Sequence, residues 1–224
     1  MKKGFERAHR NILVAFLNSL KPITAGGKVA RYLKSRGIYK KTWNKARLRE
    51  ISNYHELSER LQAEFSETQL IESGLFNEKG NLRYFKHPLI FPFIDLEGKA
   101  LTFQARAIDK ETTPKELNLR GGIPIPFNLG AVKAPNPIVY LCEGAIDTLS
   151  LLEKGFHAVG IPGVGSFKRE WVSYFKGKKI IIAFDADEAG DKGADFVLKM
   201  LRADGLDASR LQMPPGTDIN AWFS

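Results

Sequence analysis

The sequence predicts an α/β protein, in which a mixed helix-and-strand N-terminal subdomain precedes a mainly parallel sheet flanked by helices. From Pro137 onward, short and almost continuously apolar segments alternate with helical ones, which is typical of parallel strands covered on both faces. Before that point, several helical segments come first and two strand-like segments follow. The 224 residues are enough for two small domains. We expect a basic subdomain over residues 1–133 and a second domain over 134–224.

The elements of the first part are predicted from helical spacing of apolar residues and from the capping or stop residues that flank them. The expected helices are 5–20 ending before Pro22, a second one capped by Thr24 and stopped by Gly37, 53–64, and a short one with a capping box of Ser66 and Gln69 that ends at Gly74. Two strands are expected over 88–94 and 100–108, joined by a turn at Glu97-Gly98.

The second part alternates regularly between the two kinds of element. Its expected strands are 138–142, 157–161, 180–184 and 209–212, and its expected helices are 146–154, 167–175 and 188–203. In parallel sheets of this kind, ligands bind beyond the carboxyl ends of the strands. The residues that follow each strand are therefore the candidates for a functional site.

Charge is distributed unevenly along the chain. Residues 1–50 hold 14 Lys and Arg against 2 Asp and Glu, a balance of +12, whereas the remaining residues hold 20 against 23, a balance of −3. A basic front end favours binding to a polyanion such as a nucleic acid. A solvated lysine-rich surface is the alternative, and an anionic membrane is a weaker one because the basic residues are spread over several short elements.

Several classes of protein are excluded by composition. The single cysteine, Cys142, cannot form an internal disulfide or a CxxC zinc knuckle, and the four histidines are scattered, so we expect no zinc. Cys142 itself is interpreted as a buried apolar residue. No apolar run approaches the ~18 residues of a membrane span, and the N-terminus lacks the apolar stretch of a signal peptide. We expect a cytoplasmic protein.

Acidic residues follow three of the expected strands. They are Glu143 and Asp147 after the first, Asp185 and Asp187 after the third, and Asp218 after the fourth; we call these five residues the acidic cluster. Carboxylates crowded at one sheet edge repel one another and favour binding of cations. Hard oxygen ligands suit Mg²⁺, and the two carboxylates of a D-x-D sequence in extended chain point to the same side.

A structural role is the alternative for most of these acids. Asp187 or Glu188 can cap the helix that follows, Asp147 can interact with a helix dipole, and Asp218 can cap a short terminal helix. Glu143 has the weakest alternative of this kind, because it directly follows an apolar strand and precedes a glycine. The glycine-rich segment 160–165 is open to two interpretations, a phosphate-contacting loop or a tight turn.

The motifs resemble those of a known family. Glu143-Gly144-x-x-Asp147 with Asp185-x-Asp187-x-Ala189-Gly190 resembles the Toprim domain of primases, topoisomerases and some nucleases. Three further segments resemble parts of DnaG-type DNA primases, namely ARYLKSRGI, PLIFPFIDLEGKALTFQARAIDKETTPKELNL and the terminal PPGTDIN. The resemblance implies a primase catalytic core without the zinc-binding domain. Such a chain is expected to be a truncated protein, a stripped-down primase of a phage or mobile element, or a relic.

The resemblance also implies a mechanism and a set of roles. A ribonucleotide 3′-hydroxyl would attack the α-phosphate of a nucleoside triphosphate with Mg²⁺, or Mn²⁺ as a substitute. Glu143, Asp185 and Asp187 would be catalytic, and all five residues of the acidic cluster would be metal ligands. The residues expected to contact the triphosphate or the single-stranded DNA template are Arg106, Lys115, Lys34 and Arg36. The resemblance also suggests a replicative helicase as a partner, and we expect no membrane partner.

Two other functions use the same features. A Toprim nuclease would cleave with the same acids, and the primase-like upstream segments argue against it. A non-catalytic module that binds single-stranded nucleic acid would need the basic residues but not the acids.

Overall fold

The computed structural model describes residues 2–223, which form two compact units. The first unit comprises the residues up to Tyr32 together with Arg47–Pro124. The second comprises Leu33–Ala46 together with the residues from Ile125 onward. Each unit is therefore built from two separate pieces of the chain.

The first unit combines helices with an antiparallel sheet. Its helices are α1 (Lys2–Ser19), most of α2 (Lys28–Ser35), α4 (Tyr54–Glu64) and α5 (Glu67–Glu72). Its five strands, which pair in chain order, are β1 (Lys21–Pro22), β2 (Arg49–Glu50), β3 (Leu89–Ile94), β4 (Ala100–Arg106) and β5 (Glu116–Asn118). The expected antiparallel pair of β3 and β4 is confirmed.

The core of the first unit lies between these helices and one face of the sheet. Phe16 of α1 is fully buried, and its ring stacks on Phe103 of β4 with 4.8 Å between the ring centroids. Tyr84 packs edge-on against the same Phe103 ring at 5.0 Å. Leu57 of α4 and Leu70 of α5 belong to the same buried cluster. The apolar stripe that predicted α1 is therefore the stripe that covers the sheet.

The second unit is a parallel sheet with helices. In chain order its elements are α3 (Lys40–Lys45), β6 (Ile138–Cys142), α6 (Ala145–Glu153), β7 (Ala158–Gly160), β8 (Lys179–Ala183), α7 (Glu188–Ala203), β9 (Ala208–Arg210) and α8 (Ile219–Phe223), with short 3₁₀ helices over Leu129–Lys133, Val164–Ser166 and Arg169–Phe175. The strand order is β7-β6-β8-β9, and every pair is parallel. This confirms the predicted α/β class and sets the carboxyl ends of the strands along one edge.

Most of the local predictions are confirmed. The helix expected over 53–64 forms as α4, and Ser66 with Gln69 forms both bonds of the expected capping box at α5. Gly37 follows α2 with a φ of +69°, a conformation that glycine adopts at little cost. The strand β6 and the helix α7 have the predicted bounds.

Two local predictions are wrong. Thr24 does not cap α2, which begins at Lys28; its hydroxyl and its N–H both donate to the buried carboxylate of Glu50. The predicted α-helix over 167–175 is a 3₁₀ helix over Arg169–Phe175. Its residues Val172 and Phe175 are both buried, and residues three apart share one face of a 3₁₀ helix.

The two units also differ from the division expected near residue 134. Phe127 and Gly160 exchange two backbone hydrogen bonds of 2.7 and 3.0 Å, so the chain joins the second unit before that point. The segment Leu33–Ala46 belongs to the second unit although it lies near the start of the sequence. In the described part of the chain, no helix has the length and apolar character needed to cross a membrane.

Replacement of Phe16 tests the core of the first unit. Because Phe16 is fully buried between α1 and β4, we expect Phe16→Ala to lower the free energy of unfolding by about 3–5 kcal/mol. Val14→Ala, on the same helix but 43% exposed, should change it by less than about 0.5 kcal/mol. Urea unfolding followed by circular dichroism measures both, and equal effects would contradict this packing.

Candidate active site

Glu143 and Asp185 are neighbours at the edge of the sheet. They follow the adjacent strands β6 and β8, whose last residues Cys142 and Ala183 are paired. The backbone N–H of Asp185 donates to the Glu143 carboxylate. One carboxylate oxygen of each residue, Glu143 Oε2 and Asp185 Oδ1, is buried with no hydrogen-bond partner. The two strands thus deliver two half-buried acids, each with an oxygen that lacks a donor.

Asp147 joins them from the first turn of α6. Its carboxylate accepts hydrogen bonds from the backbone N–H of Asn220 and from its own N–H. The charges of Asp185 and Asp218 both act on it. Asp147 therefore faces the acidic residues as well as serving the helix N-terminus, where a negative charge is favourable.

Asp218 reaches this edge through a pairing between two loops. The Ala186 N–H donates to the Thr217 carbonyl at 2.9 Å, and the Gly216 N–H donates to the Ala186 carbonyl at 2.7 Å. Asp218 Oδ1 accepts the N–H of Ala221 at 2.5 Å, so Asp218 also caps α8. The capping role that the sequence left open for Asp218 is present, and its charge still acts on Asp147 and Asp185.

Asp187 is the N-cap of α7. Its Oδ1 accepts the N–H of Gly190 at 2.8 Å, and the residue is exposed. Its charge nevertheless acts on both Glu143 and Asp185. Glu188, the other capping candidate, instead pairs with Lys192 one turn along the helix. The D-x-D sequence thus combines a half-buried acid with an exposed helix cap.

Gly190 sets the position of α7 against Asp185. A Cβ atom at residue 190 would lie 2.1 Å from the carbonyl oxygen of Asp185 and 2.9 Å from its carbonyl carbon. Only a residue without a side chain fits there. This contact explains the glycine that ends the sequence Asp185-Ala-Asp-Glu-Ala-Gly190.

Burial and mutual repulsion raise the pKa values of three of these acids. Burial raises the pKa of Glu143 to about 7, with further increases from the charges of Asp185 and Asp187. Burial likewise raises the pKa of Asp147 to about 7, assisted by the charges of Asp185 and Asp218. The pKa of Asp185 is raised by burial and by the charges of Asp218 and Asp187. The acidic cluster therefore holds more negative charge than its surroundings compensate at neutral pH.

The donor chemistry fits a magnesium ion. Among the side chains that the structure describes, no three His, Cys, Asp or Glu residues converge closely enough to enclose a metal by themselves. Mg²⁺ does not need such a set, because it keeps several waters and commonly binds one or two carboxylates together with substrate phosphates. Glu143 and Asp185 each offer a buried carboxylate oxygen without a hydrogen-bond partner, so their donor chemistry fits such an ion.

The structure brings a basic segment to the same unit. This segment, Leu33–Ala46, holds five Lys and Arg residues and no Asp or Glu. Its Tyr39 N–H donates to the Glu153 carboxylate at 3.0 Å, and its Arg36 is bonded to Asn220. Of the predicted phosphate contacts, Arg36 is half-buried and Lys34 is exposed. Trp43, an aromatic residue of this segment, is buried in the core.

The other two predicted phosphate contacts, Arg106 and Lys115, lie in the first unit. The Arg106 guanidinium forms an ion pair with Glu116 and donates through Nε to the Tyr32 hydroxyl at 2.7 Å. Lys115 is exposed in the loop before β5. Arg106 is thus fixed in orientation, with part of its charge offset by Glu116.

Two residues near the acids were not among the predicted site residues. Arg210, at the end of β9, donates to the Asp185 carbonyl at 3.2 Å and pairs with Asp191. Asn220 donates through its backbone to Asp147. Asn220 is the last residue of the PPGTDIN segment that resembles part of DnaG-type primases, but that resemblance gave it no role; no sequence signal marks Arg210. Cys142 is buried as predicted, and burial raises the pKa of its thiol.

Comparison with known proteins places this site in a class. A Toprim-like family model matches residues 140–223, which include the whole acidic cluster, and a model of the DNA primase catalytic core, N-terminal domain, matches residues 16–121. The DNA primase of Clostridium acetobutylicum is 25% identical over 97% of this chain. The Gene 57 protein of Mycobacterium phage D29 is 30% identical over 48% of this chain and 69% of its own length.

Solved structures agree with this placement. The Aquifex aeolicus primase, in a structure of its zinc-binding and RNA polymerase domains, has a TM-score of 0.80 at 23% identity and covers 96% of this chain and 57% of its own. A DnaG primase catalytic domain bound to single-stranded DNA has a TM-score of 0.82 at 19% identity, over 97% of this chain and 74% of its own. At these identities the likeness establishes the fold.

The second unit is thus a Toprim domain. The chain as a whole belongs to the family of Toprim-domain proteins that resemble the catalytic core of DnaG-type DNA primases. It spans 38% of the length of the Clostridium primase and 41% of that of the Aquifex primase.

Removal of one charge from the acidic cluster should stabilise the metal-free protein. The folded protein keeps protons on Glu143 and Asp147 up to a pH of about 7, whereas the unfolded chain releases them near the ordinary pKa values of 4.5 and 3.8. Stability should therefore fall as pH rises between about 4 and about 7. In EDTA, Glu143→Gln should weaken this pH dependence and raise the urea midpoint at pH 7.5. The exposed Glu170→Gln is the control, and identical pH profiles for all three proteins would contradict the repulsion.

Addition of a methyl group at Gly190 should disturb the same edge. Gly190→Ala places a Cβ against the Asp185 carbonyl, so we expect a loss of about 1–3 kcal/mol in unfolding free energy. Gly130→Ala is the matched control, because no atom lies within 4 Å of its added Cβ. Urea unfolding compares the two, and a neutral Gly190→Ala would contradict the described contact.

Proposed function

We propose that this chain acts as a DNA primase catalytic core, which synthesises short RNA primers on single-stranded DNA by Mg²⁺-dependent nucleotidyl transfer. The observation that supports it most is the edge of the second sheet, where half-buried acids with partnerless oxygens share one unit with the basic segment. Relatives of this chain are named DNA primases. The chain spans less than half of the length of those relatives.

The proposed reaction joins two nucleotides. The 3′-hydroxyl oxygen of the growing strand bonds to the α-phosphorus of a nucleoside triphosphate, the bond from that phosphorus to the bridging oxygen breaks, and pyrophosphate leaves. Bound Mg²⁺ supplies charge stabilisation for the attacking and leaving oxygens. Asp147, Asp185, Asp187 and Asp218 would hold it together with Glu143. Alternatively, the four aspartates would hold the ion and Glu143 would accept the proton of the hydroxyl, a role that suits a carboxylate whose pKa burial raises to about 7 in the metal-free protein.

Four cations are proposed to contact phosphate groups. Lys34 and Arg36 belong to the second unit, with the acids, and Arg106 and Lys115 belong to the first. Arginine and lysine donate charge-assisted hydrogen bonds to phosphate oxygens, and these bonds are stronger than neutral ones. The ligands we propose are nucleoside triphosphates and a single-stranded DNA template. The relative solved with single-stranded DNA supports that template, and a replicative helicase remains a partner suggested by family membership.

Primer extension tests the proposal without requiring template initiation. An RNA oligonucleotide annealed to single-stranded DNA is incubated with ribonucleotides and Mg²⁺ or Mn²⁺, and extended products are resolved on a gel. We expect extension by the wild type, abolition by EDTA, and a loss of roughly a hundredfold or more in Asp185→Asn, since a metal ligand is removed. DNA affinity should be retained in that variant.

Asp195→Asn is the matched control, because Asp195 is exposed on α7 and lies outside the acidic cluster. Full extension by Asp185→Asn would refute the assignment of the acids. Metal-dependent degradation of the DNA instead of extension would identify a Toprim nuclease. DNA binding that is unaffected by any acid substitution, without either reaction, would identify a non-catalytic binding module.

A further inference from the structure

Asn220 joins three separate segments of the second unit. It is only 4% exposed, at the start of α8. Its side-chain oxygen accepts a hydrogen bond from Arg36 Nη1 at 3.2 Å. Its side-chain nitrogen donates to the Arg36 carbonyl oxygen at 2.7 Å and to Ser150 Oγ at 2.8 Å. One amide therefore holds both the backbone and the side chain of Arg36, and anchors them to α6.

These contacts explain why the residue is an asparagine. A primary amide has two N–H donors and one carbonyl acceptor, and each of the three bonds uses one of them. The donors must face the Arg36 carbonyl and the oxygen must face the guanidinium, which fixes the orientation of the amide. An aspartate would set a carboxylate oxygen against the Arg36 carbonyl. An alanine would leave buried polar groups unsatisfied, which costs more than the net value of the lost bonds.

The same residue is connected to the acidic cluster. Its backbone N–H donates to the Asp147 carboxylate. Ser150, whose Oγ accepts a hydrogen bond from the Asn220 side chain, lies three residues after Asp147 in α6. Ser150 and Asp147 therefore face the same side of that helix. Asn220 thus connects Arg36 with Asp147, through two side-chain hydrogen bonds to Arg36 and one backbone hydrogen bond to Asp147.

We propose that Asn220 is a positioning residue that fixes the Arg36 guanidinium beside the acidic cluster for contact with a phosphate group. The inference rests on the proposed function for the phosphate ligand. An arginine side chain loses considerable conformational freedom when it is immobilised, and a residue that orders it beforehand removes that cost from ligand binding. The amide is neutral, so this contact orients the guanidinium without offsetting its charge, in contrast to the pairing of Arg106 with Glu116.

The phosphate can belong to a nucleoside triphosphate or to the backbone of the template. Both present the same oxygen acceptors, so the structure defines the ligand chemistry and the measurement separates the sources. Affinity for ATP in the presence of Mg²⁺, from calorimetry, reports the first. Affinity for a fluorescent single-stranded oligonucleotide, from anisotropy, reports the second.

A double-mutant cycle tests the proposal. The variants are Asn220→Ala, Arg36→Ala and the combination, with Asn136→Ala as the control. Asn136 is an exposed asparagine that precedes β6 at the opposite end of that strand from Glu143, and its side chain accepts only the Ile138 N–H in a local turn. Asn220→Ala and Arg36→Ala should each weaken the same affinity, either for ATP or for the oligonucleotide. The expected loss is about tenfold, as for a lost charge-assisted hydrogen bond. The combined variant should be no weaker than Arg36→Ala.

Several results would overturn the proposal. They are losses that multiply in the combined variant, a loss in Arg36→Ala without one in Asn220→Ala, and unchanged affinities in both single variants. If Asn220 had only a structural role, Asn220→Ala would lower the free energy of unfolding equally in the presence and in the absence of the Arg36 side chain. Urea unfolding of the single and combined variants measures this difference. If Asn220→Ala does not fold, Ser150→Ala removes one anchor of the amide and should weaken the same affinity roughly threefold, only while Arg36 is present.

The double-mutant cycle can be interpreted whether or not the protein synthesises primers. The cycle measures binding at equilibrium and needs no primer synthesis. A wild type that binds phosphate ligands but extends no primer would refute the proposed activity and leave the role of Asn220 to be decided by the cycle. Where extension is measurable, the effect should fall on KM rather than on kcat, because Arg36 is oriented before the ligand binds.

Discussion

Repulsion between carboxylates is the constraint on which the second unit depends. Burial raises the pKa values of Glu143, Asp147 and Asp185, and repulsion by the Asp185 charge raises those of Glu143 and Asp147 further. The backbone opposes this repulsion by donating N–H groups to Glu143 and Asp147. Two oxygens are left without donors. Because these buried carboxylate oxygens lack hydrogen-bond donors, binding of a cation at this edge of the sheet is strongly favoured.

The surrounding structure holds this edge rigidly. Gly190 allows α7 to begin against the Asp185 backbone, the loop pairing at Ala186 brings in Asp218, and Arg210 ties β9 to the same loop. None of these contacts involves a catalytic atom. They fix the backbone from which the acids project, and preorganisation of this kind lets charged groups act without rearrangement.

Sequence patterns predicted those helices, strands and caps whose determinants lie within a few neighbouring residues. The strand β6, the helix α7 and the capping box at Ser66 follow from apolar runs, helical spacing and side-chain caps, each contained within a few residues. The proximity of Glu143 and Asp185 follows from one geometric rule, that parallel strands end at the same edge of a sheet. The contacts of Asn220 with Arg36 span 184 positions and have no local signature. Thr24 was assigned wrongly because its partner, Glu50, is 26 residues away. The placement of the basic segment depends on long-range packing in the same way.

Because each unit is built from two separate pieces of the chain, the second unit cannot be obtained by simple truncation. Ile38 and Trp43 of the basic segment are almost fully buried, and α3 packs against α6 within the second unit. A polypeptide beginning at residue 125 would contain every carboxylate of the sheet edge, yet it would lack these two apolar side chains and the hydrogen bonds that Arg36 and Tyr39 make. Its exposed apolar surface would favour aggregation over folding. Isolation of the acidic half therefore requires residues 33–46 to be grafted back, for example by circular permutation.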